Sequence, residues 1–170
     1  MYVLKVPPLV SQVRPTDCWA AGLASFQRVT GIDVASSRER LTARYAVCCS
    51  YSDDGMLPEE CVPSVLEGER CLLTNVPPAV FDAFTVRRML ESYGHLIAIR
   101  LSGGTVFHTL VVYGVGVPNS RYFSVMNPNA RSQAHQAAHQ NLEFSSQTIV
   151  AFGRKGPPAR RHVHQIPSEP

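Results

Sequence analysis

One thiol and three polar side chains stand where they could share a chemical step. Cys18 lies where a helix is predicted to begin, and Gln12 precedes it by six residues. His108 lies in "GGTVFHTLVVYGVGV", at the start of a predicted strand, and Asn127 ends the next predicted strand in "YFSVMNPNA". A thiolate can attack a carbonyl, an imidazole can take the thiol proton, an amide can orient the imidazole, and another donor can stabilise an oxyanion. These residue types in this order predict acyl transfer through a cysteine nucleophile.

The predicted position of Cys18 bears on its reactivity. Unpaired N–H groups and the dipole at a helix N-terminus lower the pKa of a thiol, so the sequence predicts a lowered pKa for Cys18. Asn129 competes with Asn127 for the orienting role, because it lies only two residues further along. His95 follows a glycine at the start of a predicted strand, and we interpret it as structural.

Helices are predicted in the first half of the chain. Apolar periodicity and capping residues predict them at 17–30, after Ser36–Ser37, at about 58–67 and in "TVRRMLESYG". Thr16 or Asp17 would cap the first helix, and Gly31 would end it. Its small residues, among them Gly22, indicate that another element approaches it closely. Thr85 is the predicted cap of the last helix, and Gly94 its predicted end.

Strand patterns follow the helices and decide the fold class. A short strand is predicted at 2–6, and four more in "HLIAIRLS", "VFHTLVVYGVGV", "RYFSVMN" and "QTIVAFGR". Strands in a row after helices predict an α+β chain with an antiparallel sheet. The polar segment 128–141 is predicted as a loop or a short helix. We expect one domain at 1–153 and a disordered, basic, proline-rich tail at 154–170.

Three stretches of the sequence together resemble papain-like cysteine peptidases. They are the glutamine, five residues and "CWA" at 12–20, then "FHTLVVYGV", then "YFSVMNP". The likeness is to the compact bacterial branch, which includes staphopain-like enzymes, peptidases of bacteriocin leaders and secreted effector proteases. It implies a papain-like fold in which the helix bearing the nucleophile packs on the antiparallel sheet. It also implies Cys18 as nucleophile, His108 as base, Asn127 as orienting residue and Gln12 as oxyanion donor.

The resemblance covers about 5–153 and departs from the family in two places. The segment between Cys18 and His108 is short, so we expect a reduced helical half. The segment before Gln12 is also short, so inhibition by a pro-segment is not expected. A thiol hydrolase of this type requires no cofactor and no metal.

Composition limits the other classes of function. The net charge is +3, and part of the excess lies in "GRKGPPARRHVH", so the body shows no nucleic-acid footprint. No apolar run approaches the ~20 residues of a membrane span. Prolines interrupt "MYVLKVPPLVSQVRP" where a Sec signal needs an apolar run. We therefore expect a protein that is cytoplasmic in its producer or exported by a dedicated secretion system.

Metal and disulfide sites are weakly supported. The five cysteines are Cys18, Cys48, Cys49, Cys61 and Cys71, and the chain contains no C-x-x-C pair, which argues against structural zinc. The last four could form disulfides in an oxidising compartment, but the missing export signal favours reduced, buried side chains. His135 and His139 have helical spacing without a convincing third ligand, and "SDDG" is interpreted as a turn.

Three classes of function remain open. A cysteine endopeptidase acting on proteins or peptides is favoured. The same residues could serve a glutamine deamidase, transglutaminase or acyltransferase toxin, and an inactive papain-fold binding module is the third class. A small thiol protease endangers its own cell, so we expect a bacterial effector or toxin that a cognate inhibitor neutralises. A cytoplasmic processing enzyme is the alternative.

Overall fold

The computed structural model describes residues 2–52, 54–74, 81–116, 122–129, 139–141 and 147–153. The helices are α1 (Cys18–Thr30), α2 (Arg38–Arg44), α3 (Ala46–Cys49), α4 (Val62–Gly68) and α5 (Ala83–Tyr93), with 3-10 turns at Pro15–Asp17 and Glu59–Cys61. The strands are β1 (Tyr2–Val3), β2 (Cys71–Leu73), β3 (Leu96–Ser102), β4 (Thr105–Val115), β5 (Tyr122–Met126), β6 (His139–Asn141) and β7 (Thr148–Gly153). The predicted tail, 154–170, lies outside the described residues.

The helix ends follow local capping chemistry. α1 begins at Cys18 and ends at Gly31, as predicted, and Asp17 occupies its N-cap position without a side-chain capping bond. At α5 the prediction of Thr85 as the cap is wrong. The carboxylate of Asp82 accepts the N–H of Thr85 at 2.7 Å, so the cap lies three residues earlier than predicted and the helix begins at Ala83. None of the helices in the described ranges is long and apolar enough to cross a membrane.

The strands form one antiparallel sheet in the order β2-β7-β3-β4-β5-β6, and β1 pairs with the far end of β4. The predicted α+β class is therefore confirmed. Two short edge strands were not predicted. β2 lies in a segment for which only a helix was expected, and β6 lies in 128–141, which was expected to be a loop or a short helix. Each is three residues long and depends on its neighbour for all its backbone pairing.

Helices cover both faces of this sheet. On one face α1 packs Trp19, Leu23 and Phe26 into a core with apolar side chains of β3, β4, β5 and β7. On the other face α5 contributes Val86 and Leu90 to a second core. Because both faces are covered, the strands read as nearly continuous apolar runs such as "LIAI" in β3. Cys18, the first residue of α1, therefore lies in the helical layer on the first face.

Two glycine positions fix how closely the layers approach. A Cβ on Gly22 would lie 2.6 Å from Cγ2 of Thr109, so only glycine lets α1 lie this near β4. This is the close approach that the small residues of α1 predict. Gly103 and Gly104 form the two-residue turn between β3 and β4 with φ values of 59° and 78°. Both central residues of such a turn need positive φ, which glycine adopts without strain.

Residues 4–12, called the N-terminal strap below, run from the end of β4 past α1 to the turn after β5. Four hydrogen bonds join the strap to different parts of the fold: Leu4 N–H to Tyr113 O (2.8 Å), His95 Nε2–H to Lys5 O (2.7 Å), Ser25 Oγ–H to Pro8 O, and Gln12 N–H to Pro128 O (3.1 Å). The bond from His95 gives that residue the structural role expected of it. The strap therefore links the helical layer to the sheet.

Candidate active site

An irregularity in β4 lies at the centre of the site. Arg100 of β3 pairs with His108, but the next residue of β3, Leu101, pairs with Val106. Phe107 is therefore the extra residue of a β-bulge, and its side chain is 57% exposed. Bulges bend a strand and re-aim the side chains next to them, and they are over-represented beside active sites. His108 directly follows this bulge.

The N-terminus of α1 meets β4 at the same point. Pairing of β5 with β4 extends no further than Met126 opposite Val111, and the carbonyl of Leu57 binds the N–H of Val106. Between these two partners the edge of β4 is open. Cys18 fills that gap, and its thiol donates a hydrogen bond to the carbonyl of Phe107 at 3.7 Å.

Burial dominates the electrostatics of this thiol. Cys18 is only 1% exposed, and burial raises its pKa to about 11. The N–H groups of Trp19 and Thr109 lower the pKa, as expected at a helix N-terminus, while the carboxylate of Asp17 raises it. The prediction of a lowered pKa is wrong for this arrangement, because the loss of solvent outweighs the backbone donors. The resting thiol is neutral and is held by Phe107.

The ring of His108 is held by Asn127. His108 Nε2 lies 3.0 Å from Asn127 Oδ1, and the same oxygen accepts the backbone N–H of Asn129 at 3.0 Å. The backbone donor identifies this atom of the amide as the oxygen, so Nε2 must carry a hydrogen. In the neutral ring the other nitrogen, Nδ1, is then the free base. Asn129, the predicted competitor, contributes its backbone and not its side chain.

The pKa of His108 lies below its usual value. Burial lowers it, the hydrogen bond to Asn127 raises it, and the charge of Arg100 on the neighbouring strand lowers it. A neutral imidazole is the form that can accept a proton. Within the described part of the chain no hydrogen bond joins the thiol of Cys18 to the imidazole; the thiol binds the residue that precedes His108.

Gln12 lies next to the turn that holds Asn127. Its backbone N–H donates to Pro128 O, which follows Asn127 directly. Its side-chain Oε1 is buried and accepts no hydrogen bond among the residues that the structure describes. A buried polar atom without a partner is uncommon in folded proteins. The structure thus places all four predicted site residues on the strap, α1, β4 and the end of β5.

Three features of the site were missed in the sequence. They are the bulge at Phe107, Arg100 opposite His108, and the second donor to Asn127 from Asn129. Only the last had a local signal: an asparagine whose side chain binds the backbone two residues on is a recurrent turn, and "NPN" fits it.

The remaining candidates for chemistry stay outside the site. The other four cysteines are free thiols; Cys61 and Cys71 are buried, as expected, but Cys48 and Cys49 are only half-buried, so the expected burial is wrong for that pair. Asp54 lies in a turn in which its carboxylate accepts the N–H of Met56. No cluster of three metal-ligating side chains occurs in the described ranges, and His135 lies outside them.

Comparison with known proteins adds a family and two solved structures. The family model described as papain-like cysteine protease AvrRpt2, Peptidase C70, matches residues 3–143. A Bacillus anthracis protein described as a C39-like peptidase superposes with a TM-score of 0.59 at 8% identity, over 92% of this chain and 98% of that one. The peptidase domain of Streptococcus ComA, a bi-functional ABC transporter of a quorum-sensing pathway, gives a TM-score of 0.53 at 16% identity, over 87% and 99%. No curated protein sequence matches.

Proposed function

The chain belongs to this family of papain-like cysteine proteases, and from that premise we propose that it is an endopeptidase in which Cys18 is the nucleophile and His108 the base. Asn127 is the orienting residue and Gln12 the oxyanion donor. One observation carries the proposal. The thiol at the start of α1 is bound to the carbonyl of Phe107, and the next residue presents an imidazole whose tautomer leaves Nδ1 free.

The first half of the reaction forms an acyl-enzyme. As a peptide carbonyl enters, the proton of Cys18 Sγ passes to Nδ1 of His108 and the sulfur attacks the carbonyl carbon. The N–H of Cys18 and the Nε2–H of Gln12 donate to the oxygen as it becomes negative. The imidazolium then gives its proton to the nitrogen of the scissile bond, and the amine leaves.

The second half restores the enzyme. Neutral His108 takes a proton from water, the hydroxide attacks the thioester, and the carboxylic acid leaves as the proton returns to the sulfur. Throughout both halves the Nε2–H of His108 stays hydrogen-bonded to Oδ1 of Asn127. This oxygen stabilises the positive charge of the ring when the ring is protonated. Burial favours the neutral forms of both Cys18 and His108 at rest.

Wild type and Cys18→Ala incubated with a proteome test the proposal. New peptide N-termini that appear only with wild type are the expected result, and their flanking residues give the specificity. A mass shift of about one unit at glutamine side chains without new N-termini would mean a deamidase and would overturn the peptidase assignment. Cys18→Ser is the matched variant, since it keeps a hydroxyl where the thiol was and should also be inactive.

We further propose that the substrates belong to another cell, as for a bacterial effector or toxin, and that a cognate inhibitor protects the producer. The physical ground is that Cys18, His108 and Asn127 all lie in one small domain, so a folded chain would cleave proteins of the cell that makes it. Wild type produced in the cytosol should slow growth, and Cys18→Ala should not. Equal growth of the two strains in a host without an inhibitor would overturn this role.

A further inference from the structure

A carboxylate lies beside the proposed nucleophile, where a second negative charge is unfavourable. Asp17 directly precedes Cys18, and its charge raises the pKa of the thiol. A negative group at a helix N-terminus stabilises the helix through the dipole, but it opposes a second negative charge at the same end. During attack the sulfur of Cys18 has to carry such a charge. A cation close to Asp17 would weaken this opposition.

The guanidinium of Arg38 is placed to do so. Arg38 is the first residue of α2, and its Nη1 lies 3.9 Å from Oδ2 of Asp17. The two side chains are only 15% and 19% exposed, so water screens the pair less than it would on an open surface. That nitrogen is buried and has no hydrogen-bond acceptor in the described residues. The other end of the guanidinium binds the exposed Glu39.

We propose that Arg38 is a positioning residue of the active site, which neutralises Asp17 and so lets negative charge develop on the sulfur of Cys18. The inference rests on the proposed role of Cys18 as nucleophile. The other charged or titratable groups around this helix start are Cys49 of α3, whose pKa Asp17 also raises, and His108 with Arg100 on the sheet. Of all the charged groups around this helix start, Arg38 is the cation that forms an ion pair with Asp17.

Alkylation of Cys18 by iodoacetamide tests the inference, with the label located by mass spectrometry. At neutral pH Arg38→Gln should slow the reaction roughly two- to fivefold, the size of a single charge effect at a helix terminus. Asp17→Asn should speed it by a similar factor. The double variant should return to the wild-type rate, and kcat/KM for a peptide should follow the same order. Arg38→Lys, which keeps the charge, should lie near wild type.

Controls separate this effect from a loss of structure. Arg40→Gln breaks the comparable ion pair with Asp33, beyond the C-terminal end of α1, and should leave the rate unchanged. A double variant that stays as slow as Arg38→Gln would mean a packing role and would overturn the proposal, as would an equal loss in Arg40→Gln. If Arg38→Gln does not fold, Asp17→Asn tests the proposal by itself, and an unchanged rate of Cys18 alkylation in that variant would overturn it. A label on another cysteine would instead overturn the nucleophile, and with it the proposed function.

Discussion

The bond between His108 and Asn127 allows a quantitative test of the site. Asn127→Ala removes the acceptor that lies 3.0 Å from Nε2. A hydrogen bond to a charged group is worth about 1.5–3 kcal/mol, and the ring becomes charged only as the reaction proceeds. The loss should therefore fall on the transition state and lower kcat/KM roughly 10- to 160-fold. His108→Ala should cost more, because it removes the base itself.

The pH dependence gives this prediction a sign. The hydrogen bond that Asn127 accepts from His108 raises the pKa of the ring, so removal of this bond should lower that pKa further below the usual value. The base then stays neutral to lower pH, and the acidic limb of kcat/KM should move to lower pH. Asn127→Asp keeps an acceptor and adds a negative charge, which should raise the pKa and move the limb to higher pH. Rates on one peptide substrate between about pH 4 and pH 9 measure both shifts.

Asn129 supplies the matched control for this test. Its contribution is the backbone N–H, which Asn129→Ala retains, so activity and pH profile should stay near wild type. A larger loss in Asn129→Ala than in Asn127→Ala would refute the reasoning. So would a folded Asn127→Ala enzyme with unchanged kcat/KM, since the ring would then be oriented by something else.

Other contacts of the helices and the sheet make further predictions. Gly22→Ala should lower the thermal midpoint, because overpacking against Thr109 costs about 1–3 kcal/mol while the helix propensity gained is about 1 kcal/mol. The double variant with Thr109→Ser should recover the midpoint, and a failure to recover would contradict the packing argument. Arg100→Gln removes a charge that lowers the pKa of His108, so the acidic limb of kcat/KM should move to higher pH, and an unmoved limb would show that the charge is screened. Asp82→Ala removes the cap of α5 and should lower the midpoint in a circular-dichroism melt without changing kcat/KM; lost activity in the folded protein would tie α5 to the site.

Local signals in the sequence predict the elements that carry the site. α1, β3, β4 and β5 each have a strong period or cap, and their predicted bounds lie close to the observed ones. The missed strands β2 and β6 have no such signal, because three residues show no period, and the partner of β2 lies far away in the chain. The shift of the α5 cap to Asp82 has a local cause, since Asp82 and Thr85, three residues apart, are both residue types that cap helices.

The types and order of the candidate residues are readable in the sequence, but their electrostatics are not. Desolvation of Cys18 arises where α1 docks on the open edge of β4, and docking is a property of the whole fold. The bulge at Phe107 is set by the pairing of β3 with β4 over several residues, so no short sequence motif predicts it. The catalytic roles assigned to Cys18, His108, Asn127 and Gln12 all stay predictions.

The N-terminal strap has a consequence for the time at which activity can arise during synthesis. The strap and Cys18 leave the ribosome before Tyr113 and Pro128, which hold the strap, and before His108, all of which lie about a hundred residues later in the chain. At roughly 5–20 residues per second, the nascent chain carries its thiol for several seconds or longer before it can have a base. Docking of the strap on the finished sheet then completes the arrangement. The candidate site can therefore form in a nascent chain only after β4 and the turn that follows β5 have been synthesised.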